Sequence, residues 1–251
     1  MRIALHSVGE VGRRAGLVLL GERDLIALGL YGHQGRRRED RRTIVIRELD
    51  GFDPLVTDDT DAASGLAGIA ADDGISCVVT ADEIDPEIAA RFTDSGLTLL
   101  TGANVSGIAE SLAAHEVART DRVTETTAAW TVPGKPLRKG EAVAFPDPVG
   151  ARWGEAAERT NETTRIEVPI EGEWAGASAT VSGAADGEPV QRVVGIADLR
   201  MHLEGLALAA GAIVVAEGSI PPGVHRPGDH PEMYLDAALR VGLEVAAYSS
   251  G

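Results

Sequence analysis

The sequence predicts an α/β chain: an N-terminal parallel sheet flanked by helices, then an α+β domain with a mixed or antiparallel sheet. Three observations carry this. Short apolar runs alternate with helix-period segments up to about residue 121. A glycine-bearing turn, HSVGEVGRRAG, directly follows the first apolar run. Beyond residue 121 the period changes to the apolar/polar alternation of strands covered on one face. The domains expected are therefore 1–121 and 122–251, with the last helix able to pack back on the first domain.

In order, RIAL reads as a short buried strand, and EVGRRAGLVLLGE as a helix with Val11, Ala15, Val18 and Leu19 at helical spacing. DLIALGLYG is a second strand, followed by the charged loop GHQGRRREDRR. TIVIREL has no assigned place in this scheme. DPLVTDD is a third strand with a polar end, and DAASGLAGIAADDG a helix with Asp61 as its N-cap and Gly74 as its stop. ISCVVTA has the continuous apolar character of a strand buried on both faces. IDPEIAARFTDSG is a helix with Pro86 in its first turn, LTLLTGAN a strand, and VSGIAESLAAHEVART a long helix. Strand and helix alternating at this spacing make a parallel sheet.

In the second half TETTAAWTV, TRIEVPIEG, GASATVSG and PVQRVVGIAD alternate as antiparallel strands do. GKPLRKGEAVAFPDPVGARWG reads as a Pro- and Gly-rich loop joining them. LRMHLEGLALAAGAIVVAEG and PEMYLDAALRVG are amphipathic helices, and LEVAAYSSG closes the sequence.

Composition narrows the function classes. Of 251 residues 44% are apolar and only 4% aromatic, so the core must be built of Ala, Val, Leu and Ile. A net charge of −16 repels phosphate backbones, which argues against nucleic acid as a partner. The single cysteine, Cys77, makes no internal disulfide and no zinc cage, and its apolar run predicts burial. MRIALHSVGEVGRR places charge where a secretory leader needs apolar residues, and no apolar run reaches the ~18 residues of a membrane span. A soluble, cytoplasmic protein with a small-molecule substrate is expected.

The glycine turn sets the first functional expectation. A dinucleotide cradle needs a tight turn after the first strand, close backbone approach to the pyrophosphate, and a small residue where helix meets strand. Gly9 serves the close approach and Gly12 the packing, while Ser7 stands where the first glycine of G-x-G-x-x-G belongs. Glu10 and Val11 open the helix, whose free N–H groups and positive dipole end suit an anion. This is the arrangement of a Rossmann-type domain. At the end of the second strand an acid would hold the ribose of NAD. Here His33 is followed by Arg36, Arg37 and Arg38, which suit a 2′-phosphate, so NADP(H) is favoured over NAD(H). The alternative is a solvated basic loop neutralised by Glu39 and Asp40. Thr80 and Ala81, at the end of the fourth strand, are expected beside the nicotinamide ribose. Gly102, Ala103 and Asn104, at the end of the fifth, are expected near the ring. Asn104 serves as the N-cap of the next helix, as a cofactor contact, or as both.

FPDPVG and GSIPPGVHRPGDHPE, within PGKPLRKGEAVAFPDPVG and GAIVVAEGSIPPGVHRPGDHPEMYLDAALRVGLEV, resemble the substrate-side half of saccharopine-dehydrogenase-like oxidoreductases. With VTDD, VVTAD and TGAN the N-terminal half is similar to dihydrodipicolinate-reductase-type cofactor domains. The resemblance implies NAD(P)-dependent redox chemistry at a C–N bond of an amino or imino acid, in a cleft between the two domains. Ser7 and the short chain depart from that pattern.

Hydride chemistry also needs a group that handles a proton, and the second half must supply it. His225, after the proline turn of PPGVHRP, is one candidate; the bland reading makes it a surface turn residue. His202, among Leu199, Leu203 and Leu206, is the other; the bland reading makes it a satisfied core or interface histidine. Lys135, Arg138 and Lys139 are candidates for binding a substrate carboxylate, and Arg152 and Trp153 for closing over it, each also readable as surface or packing residues. His230 and Asp229 lack a third ligand at metal spacing, so no metal is expected. No G-x-S-x-G elbow is present, which argues against an α/β-hydrolase. A one-sided sheet in the second domain suits pairing in a homo-oligomer, a dimer or tetramer. The rival readings are a non-catalytic nucleotide-binding or redox-sensing protein on this fold, and an interaction subunit with an empty cradle.

Overall fold

The computed structural model describes residues 1–32, 40–160 and 163–250. The chain divides into two compact units, Met1–Asn104 with Glu204–Gly242, and Val105–Leu203 with Leu243–Gly251. Strands and helices are numbered below in chain order.

The first unit is built on a sheet of seven strands: β1 (Arg2–His6), β2 (Ala27–Tyr31), β3 (Thr43–Ile46), β4 (Leu55–Thr57), β5 (Cys77–Val79), β6 (Thr98–Leu100) and β13 (Gly223–His225). Their order is β3-β2-β1-β4-β5-β6-β13, and every pairing is parallel. The segment TIVI, unassigned from its pattern, is the edge strand β3. Short strands buried on both faces explain the runs without alternation: each residue of β4, β5 and β6 is buried.

The helices of this unit are α1 (Glu10–Leu19), α2 (Ala63–Asp72), α3 (Pro86–Ser95), α5 (Arg200–Ala216) from Glu204 onward, and α6 (Pro231–Arg240). Helix α3 begins with Pro86 in its first turn and the Asp85 carboxylate accepting from the Glu87 N–H at 2.8 Å. Gly96, at φ 66°, ends it in the left-handed region. Helix α2 departs from expectation: its N-cap is Ala62, not Asp61, and the Ala62 N–H is taken by Asp59 three residues upstream. Phe52, Leu55, Leu66, Phe92 and Leu99 belong to one core cluster. Helix α5 lies close to β5 and β6, since a Cβ on Gly211 would sit 2.9 Å from Leu100 and 3.0 Å from Val78. The hydroxyl of fully buried Tyr234 donates to the Ala207 carbonyl at 2.9 Å and ties α6 to α5.

The second unit also has seven strands: β7 (Arg122–Pro133), β8 (Glu141–Val143), β9 (Arg152–Arg159), β10 (Thr163–Ile170), β11 (Trp174–Ala185), β12 (Glu188–Leu199) and β14 (Ala246–Ser250). The order is β14-β12-β11-β7-β10-β9-β8. The sheet is mixed, because β7 and β10 run parallel while the other neighbours are antiparallel. GKPLRKGEAVAFPDPVGARWG is not wholly a loop: EAV forms β8, and RWG starts β9. Asp186 and Gly187, both at positive φ (52° and 82°), turn β11 into β12. Helix α4 (Val105–Ala118), grouped by its sequence with the first half, packs on β7 and β11 of this unit. Buried Glu110 and Glu116 reach from it to Arg165 (3.6 Å) and Arg192 (3.4 Å).

Candidate functional site

A parallel sheet collects its loops at the carboxyl ends of its strands, and the crevice opens where the chain reverses direction across the sheet. In the first unit that switch lies between β1 and β4. The turn Ser7–Gly9 leaves β1 there and enters α1. Gly9, the N-cap, is extended (φ −136°, ψ −169°), a conformation any residue adopts, so its need is for space rather than for a left-handed backbone. The space is filled by a side chain. Asp58, one residue past β4, accepts from the N–H groups of Val8 (2.9 Å), Gly9 (3.2 Å) and Gly12 (2.7 Å). A Cβ on Gly12 would meet Asp58 at 2.8 Å and the Ser7 hydroxyl at 2.6 Å. Ser7 itself donates to the Gly9 carbonyl at 3.3 Å and closes the turn where a glycine was expected. Among the described residues, the N–H groups of Glu10 and Val11 in the first turn of α1 have no protein acceptor. The Glu10 side chain pairs with Arg13.

Around the turn stand the ends of β1, β2 and β4. His6 Nδ1 lies 3.3 Å from the Thr57 hydroxyl, and its ring is tilted at 59° against Tyr31. Gly32, at φ 70°, ends β2, and a Cβ there would lie 3.2 Å from the His6 ring. His33, Arg36, Arg37 and Arg38 lie outside the described residues.

A second cluster occupies the ends of β5, β6 and β13. The Gly102 and Ala103 N–H groups bond to the Ala81 and Val79 carbonyls, at 2.8 and 3.1 Å. Gly102 has φ 65°, and a Cβ would meet the Asp82 carboxylate at 3.0 Å, so both backbone and space require glycine. The Asn104 amide donates to the Thr80 carbonyl at 2.8 Å and to Asp82 at 3.4 Å. Asp82 is in turn paired with Arg226 at 3.0 Å. Thus Thr80, Ala81, Gly102, Ala103 and Asn104 lie together, with Asp82 and Arg226 beside them.

His225 ends β13, and its carbonyl accepts from the Thr101 N–H at 2.9 Å. Its Nε2 lies 3.0 Å from the Pro221 carbonyl, which can only accept, so that nitrogen carries hydrogen. Its Nδ1 lies 3.2 Å from His230 Nε2, with the rings 4.8 Å apart. Both nitrogens of neutral His225 are therefore committed, and the nitrogen left over in the pair is Nδ1 of His230. Burial, and then the nearby His225, hold the His230 imidazole below the usual histidine range, against the pull of Asp229. Asp229 accepts from the Arg226 N–H at 2.7 Å and caps the single 3-10 turn Pro227–Asp229. Among the described residues no group of three His, Cys, Asp or Glu side chains is placed to hold a metal.

The remaining candidates lie apart from these clusters in sequence and belong to the second unit. His202 Nδ1 is 2.8 Å from Asp198, an i,i+4 pair at the start of α5. Lys135, Arg138 and Lys139 sit in the segment between β7 and β8. Trp153 is 44% exposed on β9, and Arg152 donates to the neighbouring Ala151 carbonyl at 2.8 Å. Glu125, Thr127, Ser178, Thr180 and Gln191 are among the residues lining a polar cavity of about 340 Å³ on the mixed sheet. Cys77 is buried in β5, and burial pushes its thiol up to about 12, which leaves it unreactive.

Asp58, Asp82 and Arg226 were not singled out as site residues by sequence, and His230 was weighed there only as a metal ligand. The available signal was position: Asp58 and Asp82 directly follow apolar strand runs, VT and VVTA, at the end of the sheet where ligands bind.

No protein-family model matches the chain, and no curated protein matches its sequence. Solved structures do match its fold. The dipicolinate-bound dihydrodipicolinate reductase from Paenisporosarcina sp. TG-14 is 8% identical, with a TM-score of 0.53 over 90% of this chain and 97% of that one. The amine dehydrogenase from Mycobacterium smegmatis is 12% identical, with a TM-score of 0.53 over 90% and 94%. The C. glutamicum DAP dehydrogenase in complex with DAP is 12% identical, with a TM-score of 0.53 over 96% and 98%. The chain thus shares the fold of these proteins: a Rossmann-type parallel domain joined to an α+β domain.

Proposed function

We propose that this protein is a nicotinamide-dinucleotide-dependent oxidoreductase, using NADP(H), that acts at a C–N bond of a small amino- or imino-acid-like substrate. One observation carries the reading. The glycine turn stands at the switch point of an all-parallel sheet and presents the unfilled Glu10 and Val11 N–H groups at a helix N-terminus. Those two groups fit the oxygens of one phosphate, beside the three N–H groups that Asp58 takes. The fold neighbours are by name a reductase and two dehydrogenases, two of them acting on amines or named for DAP, which supports the substrate class. The choice of NADP(H) rests on the sequence of the arginine loop.

When bound, the dinucleotide supplies hydride transfer. The chain's own residues do the rest. The backbone of Ala81, Gly102 and Ala103 ties the ends of β5 and β6 together, and Asn104 braces them by donating across to the Thr80 carbonyl. His230 gives or takes a proton at Nδ1, and His225 positions that ring through the shared hydrogen bond.

Titration with NADPH and NADH, followed by thermal shift and by nucleotide fluorescence, tests the reading. Binding with NADPH preferred is the expected result. No shift with either at millimolar concentration sinks the dinucleotide reading, and preference for NADH overturns the assignment of NADP(H). Oxidation of NADPH by an imino- or keto-acid and ammonia panel then tests the substrate class.

A further inference from the structure

We infer that Asp58 is a positioning residue for phosphate binding at the glycine turn, an inference that rests on the dinucleotide reading above. Residues 8–12 of the turn carry five backbone N–H groups. One carboxylate takes three of them, those of Val8, Gly9 and Gly12 at 2.7–3.2 Å, and leaves those of Glu10 and Val11. Its oxygens lie in the space that side chains at Gly9 and Gly12 would occupy, 3.3 and 2.8 Å from the positions of the missing Cβ atoms. The space at both glycines is thus explained by the carboxylate. An unbraced turn would have five competing donors and many conformations. Braced from within, it holds two adjacent donors in a fixed orientation, enough for the oxygens of one phosphate. Holding donors in place before the anion arrives removes an ordering cost from binding. The carboxylate also comes from β4, the neighbour of β1 across the switch point, so it fixes the turn to the sheet over 46 residues of sequence.

The test compares the wild type with Asp58→Ala and Asp58→Asn, measuring the affinity for NADPH, NADH and ADP alongside the unliganded thermal midpoint. The amide resonances of Val8, Gly9 and Gly12 are followed by NMR. The expected result is an affinity for ADP and the preferred dinucleotide weaker by about tenfold in Asp58→Ala, with a smaller loss in Asp58→Asn, which keeps one acceptor oxygen. The three amide resonances move while the rest of the spectrum holds. Loss of the whole native spectrum in Asp58→Ala shifts the comparison to Asp58→Asn, where the graded loss must still appear. Unchanged or tighter binding in the variants overturns the inference while leaving the dinucleotide reading intact, since the carboxylate would then act only as a neutral filler or a repelling charge. Absence of nucleotide binding in the wild type and both variants removes the dinucleotide reading and this inference with it.

Discussion

Two sheets of seven strands each organise the described residues, and they are written in different sequence languages. The first has strands of three to five residues, all parallel, several of them buried on every residue. The second has four strands of eight residues or more in a row from β9 to β12, with burial that alternates along β10. In the first, side chains within the strands are core and the candidate site residues gather one to three residues beyond the strand ends: Ser7, Asp58, Thr80, Asp82, Gly102 and Arg226. In the second, polar side chains such as Thr127, Ser178 and Thr180 lie along the strands themselves, around a cavity on the sheet. A sheet covered on both faces can offer a ligand only its ends, whereas a sheet covered on one face can offer a surface.

That contrast can be broken by mutation. The largest effect is expected where the parallel unit depends on its few aromatics. Phe92 is fully buried in a core cluster, and Phe92→Ala should cost about 3–5 kcal/mol in urea unfolding, because losing the ring leaves a cavity that the surrounding core fills only in part. A cost below about 1 kcal/mol would mean that this core is more plastic than its burial implies. The mixed sheet should instead be sensitive where its strands bend. Gly183 follows the register shift between β11 and β7, and a Cβ there would lie 2.1 Å from the Arg122 carbonyl. Gly183→Ala should cost about 1–3 kcal/mol, while Gly187→Ala, with no atom near the new methyl, loses only its favourable backbone. Equal losses in the two variants would show that the close approach at the bulge is not what constrains this sheet.

The smallest effect concerns pH. The His230 imidazole binds its proton less readily in the folded protein than in the unfolded chain. The unfolded state therefore takes up more protons as pH falls from about 6.5, and stability declines with acidification through that window. His230→Gln should flatten this part of the stability profile. The effect is modest because the ring is only partly buried. A profile unchanged by the substitution would show that folding does not hold the His230 imidazole below its usual range.

The same contrast explains what could be read from the sequence. Continuous apolar runs bounded by glycine and polar residues mark buried parallel strands well, and β1, β2, β4, β5 and β6 stand where the runs do. The alternation in the second half marked β7, β10, β11 and β12 but could not say that β7 and β10 run parallel, since strand direction leaves no trace in a period of two. β8 was hidden because three residues, EAV, are too few to show any period. Helix α4 was legible as a helix but not as a member of the second unit: most of its residues are buried, so no one face announces its partner. At the site, the glycine turn and the TGAN strand end were visible as motifs. Asp58 was not, because its partners lie 46 to 50 residues away and are backbone groups without sequence identity.

The return of the chain to its first sheet has a consequence for synthesis. Strand β13 pairs with β6, and α5 and α6 also belong to the first unit, although about a hundred residues of the second unit intervene. β14 likewise joins the second sheet only after α6. As the polypeptide leaves the ribosome, β6 therefore stays an open edge until residues 223–225 emerge, and β12 stays open until 246–250 do. Neither sheet can be finished before the whole of β7 to β12 has been made, so both close only after the intervening strands are already in place.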